Sequence, residues 1–384
     1  MKYFTMVCFS FLCSVLISVE LPPEKTAVFP AGMNGIALFR IPGIVVTNAG
    51  TILAYCEARK NSGADWGEIE VNLRRSTDGG KTWGSVQPIA HRGERIEGNP
   101  HKKDSGAKEQ TVNNPVAIVD RETKAIEFLY CVNYARAFSI RSTDDGLSWS
   151  DPVEITATFD AFRTQVDWKV IATGPGHGIQ LKNGRLVVPV WLAYGKVGAH
   201  SPSVAGTIFS DDHGKTWHAG AIAVPNDGMF NNPNESMITE LSDERVLFIA
   251  RNASPPNRKI VTTSTDGLSN WAKPIFHPDL WEPVCMSSLI SHPAQPGVVL
   301  FSCPHRIGVD KTGSEIPNSR GKREGLAIKL SRDDGKTWPV IKELEAGPSA
   351  YSDLAVLPDG NVLCLYEGNK HILVARFTLE WLTE

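Results

Sequence analysis

A short pattern returns along this chain and constrains the fold more than any other feature. Ser-x-Asp-x-Gly-x-x-Trp occurs at Ser76, Asp78, Gly80 and Trp83. It returns at Ser142, Asp144, Gly146 and Trp149, at Ser210, Asp212, Gly214 and Trp217, and at Ser331, Asp333, Gly335 and Trp338. A variant has Ser264, Asp266 and Trp271, with its glycine one place early at Gly267. The aspartates are separated by 66, 68, 54 and 67 residues. The residue types describe a tight turn between two strands. Asp binds nearby backbone amides, Gly supplies the left-handed position, and Trp buries a large surface as the chain leaves the turn.

The runs between the turns are rich in β-formers, at 116–119, 185–190, 246–249 and 298–301. Long amphipathic helical stretches are nearly absent. A β-sheet unit repeating at this period predicts an all-β propeller with about four strands per blade. Residues 21–384 divided by the period give between five and six units. Gly-Lys-Thr at Gly80, Gly214 and Gly335 is not a phosphate-binding loop. That motif needs another glycine five residues earlier, where Arg75, Phe209 and Leu330 stand.

The chain has 384 residues, 42% hydrophobic and 21% charged, which is enough apolar material for a large core. Its net charge is −3 and no basic run stands out, which argues against a nucleic-acid partner. Residues 1–20 read as an export signal, with a membrane anchor as the alternative although the stretch is slightly short for a full span: Lys2, an uncharged apolar stretch to Val19, a small residue at Ser18, then Glu20 and Pro22-Pro23. The expected product is a secreted or periplasmic protein with one domain over 21–384 and no membrane span in the mature chain. Cys56, Cys131, Cys285, Cys303 and Cys364 are widely spaced, as buried strand residues would be, and one disulfide among them stays open. No histidine has metal-ligand spacing.

The repeats resemble the Asp boxes of the sialidases, also called bacterial neuraminidase repeats. The boxes are a folding device and by themselves specify no activity. Phe39-Arg40-Ile41-Pro42 is similar to the FRIP motif that opens the sialidase catalytic domain. Arg40 stands in an apolar run, where a guanidinium needs an anion. The resemblance extends from about residue 25 to the C-terminus and implies the six-bladed propeller of the sialidase fold. It implies an exo-α-sialidase, a glycoside hydrolase that removes terminal α-linked sialic acids with retention and needs no cofactor. Sialylated glycans, glycoproteins or glycolipids are the implied partners.

The family clamps the substrate carboxylate with three arginines, a task suited to fixed, always-charged, bidentate donors. By resemblance these are Arg40, Arg251 in Phe248-Ile249-Ala250-Arg251-Asn252, and Arg323, with Arg306 and Arg320 as alternatives for the third. A carboxylate nucleophile would meet a like charge at the reacting carbon, and sialidases use tyrosine instead. The resemblance places that role on Tyr351, with Glu235 taking the phenolic proton. Asp65 in Gly63-Ala64-Asp65-Trp66 resembles the general acid/base, with Glu68 and Glu70 as neighbours of the same type. Arg59 resembles a sugar-contacting arginine, and Glu367 the glutamate that orients Arg40. Trp168 and Phe162 are open between the N-acetyl pocket and the core. Gly174-Pro175-Gly176-His177-Gly178 resembles a sialidase segment and reads as a backbone turn near the site. Sequons at Asn234 and Asn252 abut Glu235 and Arg251, where a glycan would block the cleft. The alternatives are a trans-sialidase or intramolecular trans-sialidase using the same residues, and a non-catalytic Asp-box glycan-binding protein. The latter would be expected to lack some of the residues named.

Overall fold

The computed structural model describes residues 22–96, 109–196, 199–316 and 321–384. The segment read as an export signal lies outside the described residues, as does Arg320. The chain is almost entirely β, and the described residues hold only two short α-helices, Thr156–Asp160 and Leu379–Thr383. None of these helices is long and apolar enough to cross a membrane.

Each predicted turn forms as its residue types demand. In the first, the Asp78 carboxylate accepts from the Thr82 amide at 3.0 Å and from the Ser76 hydroxyl at 2.8 Å, while the Gly80 amide donates to Ser76 at 2.9 Å. Gly80 sits at φ 89°. Trp149, Trp271 and Trp338 then lie edge-on against Phe128, Phe248 and Phe301 of their own sheets. The variant box makes the same turn one residue shorter, with the Ser269 amide donating to Asp266 at 2.9 Å.

The residue after the box aspartate has a second task, which is to bind the preceding unit. Asp145 accepts from the Thr51 hydroxyl at 2.6 Å and from Arg75 at 2.9 Å. His213 Nδ1 lies 2.8 Å from the Asp120 carboxylate. Asp334 accepts from the amide and hydroxyl of Ser242 at 2.9 and 2.6 Å. The repeat therefore shapes each hairpin and also staples consecutive units together.

The arrangement is propeller-like, but six blades are not formed. Hydrogen bonding defines five sheets: four of four or five strands, and one of seven. The cause is the strand Val340–Val356, which runs for 17 residues without a turn. Its first part pairs with Lys322–Ser331 and its second with Val362–Gly368. One strand thus serves as the outer edge of one four-stranded unit and the inner edge of the next, and the two fuse into a half-barrel sheet. Glu24–Phe29 adds to the far edge of that sheet by pairing with His371–Phe377, so the first and last strands of the described residues meet in one sheet.

All five cysteines of the described residues are buried and free. Glu127 is buried beside Arg141, and its carboxyl is pushed up to about 7, chiefly by burial and with help from Asp120. The folded chain therefore holds a proton between pH 4.5 and about 7 that the unfolded chain has released. Stability present below that window is lost as pH rises through it. The thermal midpoint should fall by a few degrees across the window, and calorimetry of Glu127→Gln should show that slope flattened.

Candidate active site

The first strand of each unit starts at one end of the axis, the second returns there, and the third runs away to its Asp box. Residues at first-strand starts and second-strand ends therefore gather at the end opposite the boxes. Arg40 opens Leu38–Val46, Arg59 closes Ile52–Arg59, and Arg251 follows Val246–Ala250. Glu235 precedes Ser236–Glu240, Arg323 begins Lys322–Ser331, and Glu367 ends Val362–Gly368.

Tyr351 is the centre of this group and is 4% exposed. Its hydroxyl donates to the Glu235 carboxylate, at 2.7 and 2.6 Å from the two oxygens. Arg251 Nη1 donates to the same hydroxyl at 2.6 Å and also pairs with Glu235. The guanidinium carbons of Arg40 and Arg323 lie 5.0 and 5.6 Å from the centre of the Tyr351 ring. Three arginines from three sheets thus surround one phenol. Burial drives the Tyr351 hydroxyl well above its usual value, and Arg251, Arg40 and Arg323 pull the other way.

The arginines differ in their partners. Arg40 is gripped by Glu367 through two hydrogen bonds, Nε to Oε1 at 3.0 Å and Nη2 to Oε2 at 3.1 Å. Glu367 also accepts from the Ile41 and Tyr351 amides, so it couples the two strands that carry Arg40 and Tyr351. Arg323 donates to the Val284 carbonyl and has no carboxylate partner among the described residues. It is the cation of the three most ready for an external anion. Arg306 is half exposed and bound to Glu343 at 3.2 Å and to the Ala346 carbonyl at 3.3 Å, turned from the cluster.

Asp65 lies on a half-exposed loop and accepts from Arg59 Nη1 at 2.9 Å. Arg59 is itself buried and forked onto Glu57, with Nε and Nη2 at 3.1 and 2.9 Å from Oε2. Burial raises Asp65, but Arg59 and Arg40 outweigh it and hold the carboxyl below its usual value. Glu68 is tied to Arg95 and Glu70 to Lys60, so neither competes for this place.

Several features escape a reading of the sequence. Glu57, two residues from Arg59 on the same strand, holds that arginine from below. Trp66, Tyr134, Trp191 and His200 form an aromatic wall beside Asp65, with Trp66 and Tyr134 ring centres 4.6 Å apart and His200 4.8 Å from Tyr134. These four positions span 134 residues of sequence and carry no local signal. Phe162 and Trp168, by contrast, belong to the core between sheets, where the Trp168 indole donates to the Phe159 carbonyl at 2.9 Å. Asn252 is buried with both amide atoms bonded, which leaves no room for a glycan. Among the described residues, no cluster of three His, Cys, Asp or Glu could hold a metal ion.

The BNR repeat-like domain family matches residues 50–364. The chain belongs to this family. Its relatives are sialidases. One from Micromonospora viridifaciens is 32% identical over 377 residues, covering 91% of this chain and 53% of its own length. Another, from Bacteroides fragilis strain YCH46, is 30% identical and covers 88% of this chain and 61% of its own length. The chain thus spans a little over half the length of these relatives. The solved Hadza microbial sialidase Hz136 superimposes with a TM-score of 0.76 at 28% identity, covering 93% of this chain and 69% of that one.

Proposed function

We propose that this protein is an exo-α-sialidase that hydrolyses terminal α-linked sialic acids with retention, through a covalent bond to Tyr351. The observation that carries the reading is the phenol hydrogen-bonded to a carboxylate and ringed by three guanidiniums. The sialidase relatives support the substrate class. Sialic acid carries a carboxylate on its anomeric carbon. Arg40, Arg251 and Arg323 would hold that group and place the carbon over the Tyr351 hydroxyl. As the phenolic oxygen attacks, its proton passes to Glu235, which offsets the high proton affinity of a buried phenol. Asp65 protonates the departing glycosidic oxygen. It then takes a proton from water, which attacks the same carbon and releases the tyrosine, and Glu235 returns the phenolic proton. In this reading residues 21–384 act as one catalytic unit, and residues 1–20 direct its export.

The test is turnover of a fluorogenic aryl sialoside between pH 4 and 8, with proton NMR of the first sugar released. The α-anomer is expected first. A chain that binds the sialoside without releasing sialic acid is a binding module, and release of the β-anomer defeats the covalent route. Asp65→Asn discriminates further. An aryl leaving group departs with little help from a proton, whereas lactose needs one. The variant should lose about 100- to 10,000-fold in kcat/KM, which reports the step that expels the leaving group, on sialyllactose and far less on the aryl substrate. Equal losses on both would remove Asp65 from the acid role.

A further inference from the structure

The segment Gly174-Pro175-Gly176-His177-Gly178 has no part in the reaction as drawn, yet it passes through the axis beneath Tyr351. Its glycines are demanded by space. Gly176 sits at φ +99°, and a Cβ there would lie 2.8 Å from Met286 and 3.0 Å from Met237. A Cβ on Gly178 would lie 2.7 Å from Ile118. The Tyr55 hydroxyl fixes the segment by donating to the Gly176 carbonyl at 2.6 Å while accepting from the Ala117 amide at 2.9 Å. Gly43 has no Cβ because the Tyr55 ring occupies that place, 2.1 Å from where it would be.

The result is the placement of one imidazole. His177 Nδ1 lies 2.8 Å from Asp353 Oδ1. Asp353 is fully buried, and among the described residues no lysine or arginine pairs with it. Its Oδ1 also accepts from the Ser288 hydroxyl at 2.8 Å, and its Oδ2 from the Ile44 amide at 2.9 Å. One carboxylate thus binds the strand of Arg40, the His177 segment and the strand Ser288–Ser291 to the strand of Tyr351, two residues along from the phenol. A buried carboxylate with this many partners is costly to form unless all are present, so it selects a single arrangement of those strands.

We propose that Asp353 and His177 are positioning residues, which fix the Tyr351 hydroxyl against Glu235 by locking the axial strands together. The inference rests on the sialidase reading above. His177 also lines an axial cavity of about 840 Å³ that lies away from the arginines, among strand ends at 46–48, 240–242 and 291–293. This second opening makes the role testable, because removing the His177 ring joins its space to the cavity, and a small molecule can then enter that space without passing through the active site.

The experiment compares wild type, His177→Ala and His177→Asn in the full chain, on the fluorogenic sialoside, with and without imidazole. Displacing a reacting group by about 1 Å can cost roughly 100-fold, so His177→Ala should lose between about 10- and 100-fold in kcat. KM should stay within about twofold, since the arginines keep their own partners. Imidazole should restore most of the kcat while leaving wild type unchanged. His177→Asn, whose amide can reach the Nδ1 position, should keep kcat within about threefold of wild type. Unchanged kcat in His177→Ala would overturn the proposal. So would equal losses in both variants, or a loss carried by KM and untouched by imidazole. If His177→Ala does not fold, His177→Asn decides: retained kcat supports the proposal, and a loss overturns it. Failure of wild type to release sialic acid would defeat the sialidase reading itself, and so is distinguishable from these outcomes.

Discussion

Tyr351→Phe should lower kcat by about 100- to 10,000-fold while leaving the affinity for a sialic-acid analogue within a few-fold of wild type. The substitution removes one oxygen from a buried ring. The ring remains packed near Arg40 and Arg323, so the guanidiniums proposed to hold the substrate carboxylate keep their places. The loss comprises the attacking atom together with the hydrogen bonds it makes to Glu235 and Arg251. Single-turnover kinetics with mass spectrometry should detect a sialylated tyrosine in wild type under fluorosialoside trapping, and none in the variant. A variant with wild-type turnover would remove Tyr351 from the chemistry and direct attention to water activated by Asp65. The folding cost should be modest, because Glu235 and Arg251 lose the hydroxyl as a partner but still pair with each other.

Arg251→Ala should do more damage, and of two kinds. It removes a guanidinium proposed above to hold the substrate carboxylate, and truncating one partner of a buried hydrogen-bonded charge pair costs about 2–5 kcal/mol. The expected fall in kcat/KM is roughly 1,000-fold, corresponding to about 4 kcal/mol. It also strands Glu235, which is 8% exposed and has Arg251 as its ion-pair partner. The thermal midpoint should therefore drop as well. Combining the change with Glu235→Gln separates the two effects. The double variant should regain stability, because the stranded charge is gone, and should recover no activity. Recovery of activity would mean that Arg251 serves only to balance Glu235 and takes no part in holding substrate.

The Asp65 loop shows how electrostatics qualifies the reading taken from resemblance. A general acid works best near its operating pH, yet Arg59 holds Asp65 below its ordinary value in this state. The pair must loosen before Asp65 can carry a proton. The half-exposed position of Asp65 leaves room for that movement, whereas Arg59 is anchored by Glu57 and cannot follow. Activity on substrates with poor leaving groups should consequently rise as pH falls.

The sequence by itself determined what depends on near neighbours. Ser, Asp, Gly and Trp within eight residues encode a turn whose bonds are all local, and five such turns announce an all-β repeat before any contact is known. The arginines at strand ends are marked in the sequence by resemblance to sialidase motifs such as Phe39-Arg40-Ile41-Pro42, and by no turn chemistry of their own. Tertiary structure decided the rest. Six blades were expected, but a chain segment that simply omits a turn, Val340–Val356, fuses two units into one seven-stranded sheet. The repeat period does not reveal whether a connection bends. The grip of Glu367 on Arg40 spans 327 residues, and that of His177 on Asp353 spans 176. Neither pair exists until the ring closes, and local spacing holds no trace of it. The aromatic wall beside Asp65 is assembled in the same way from separate sheets. Local turn chemistry is written in the order of residues, whereas the site is written in which strand ends meet at the axis.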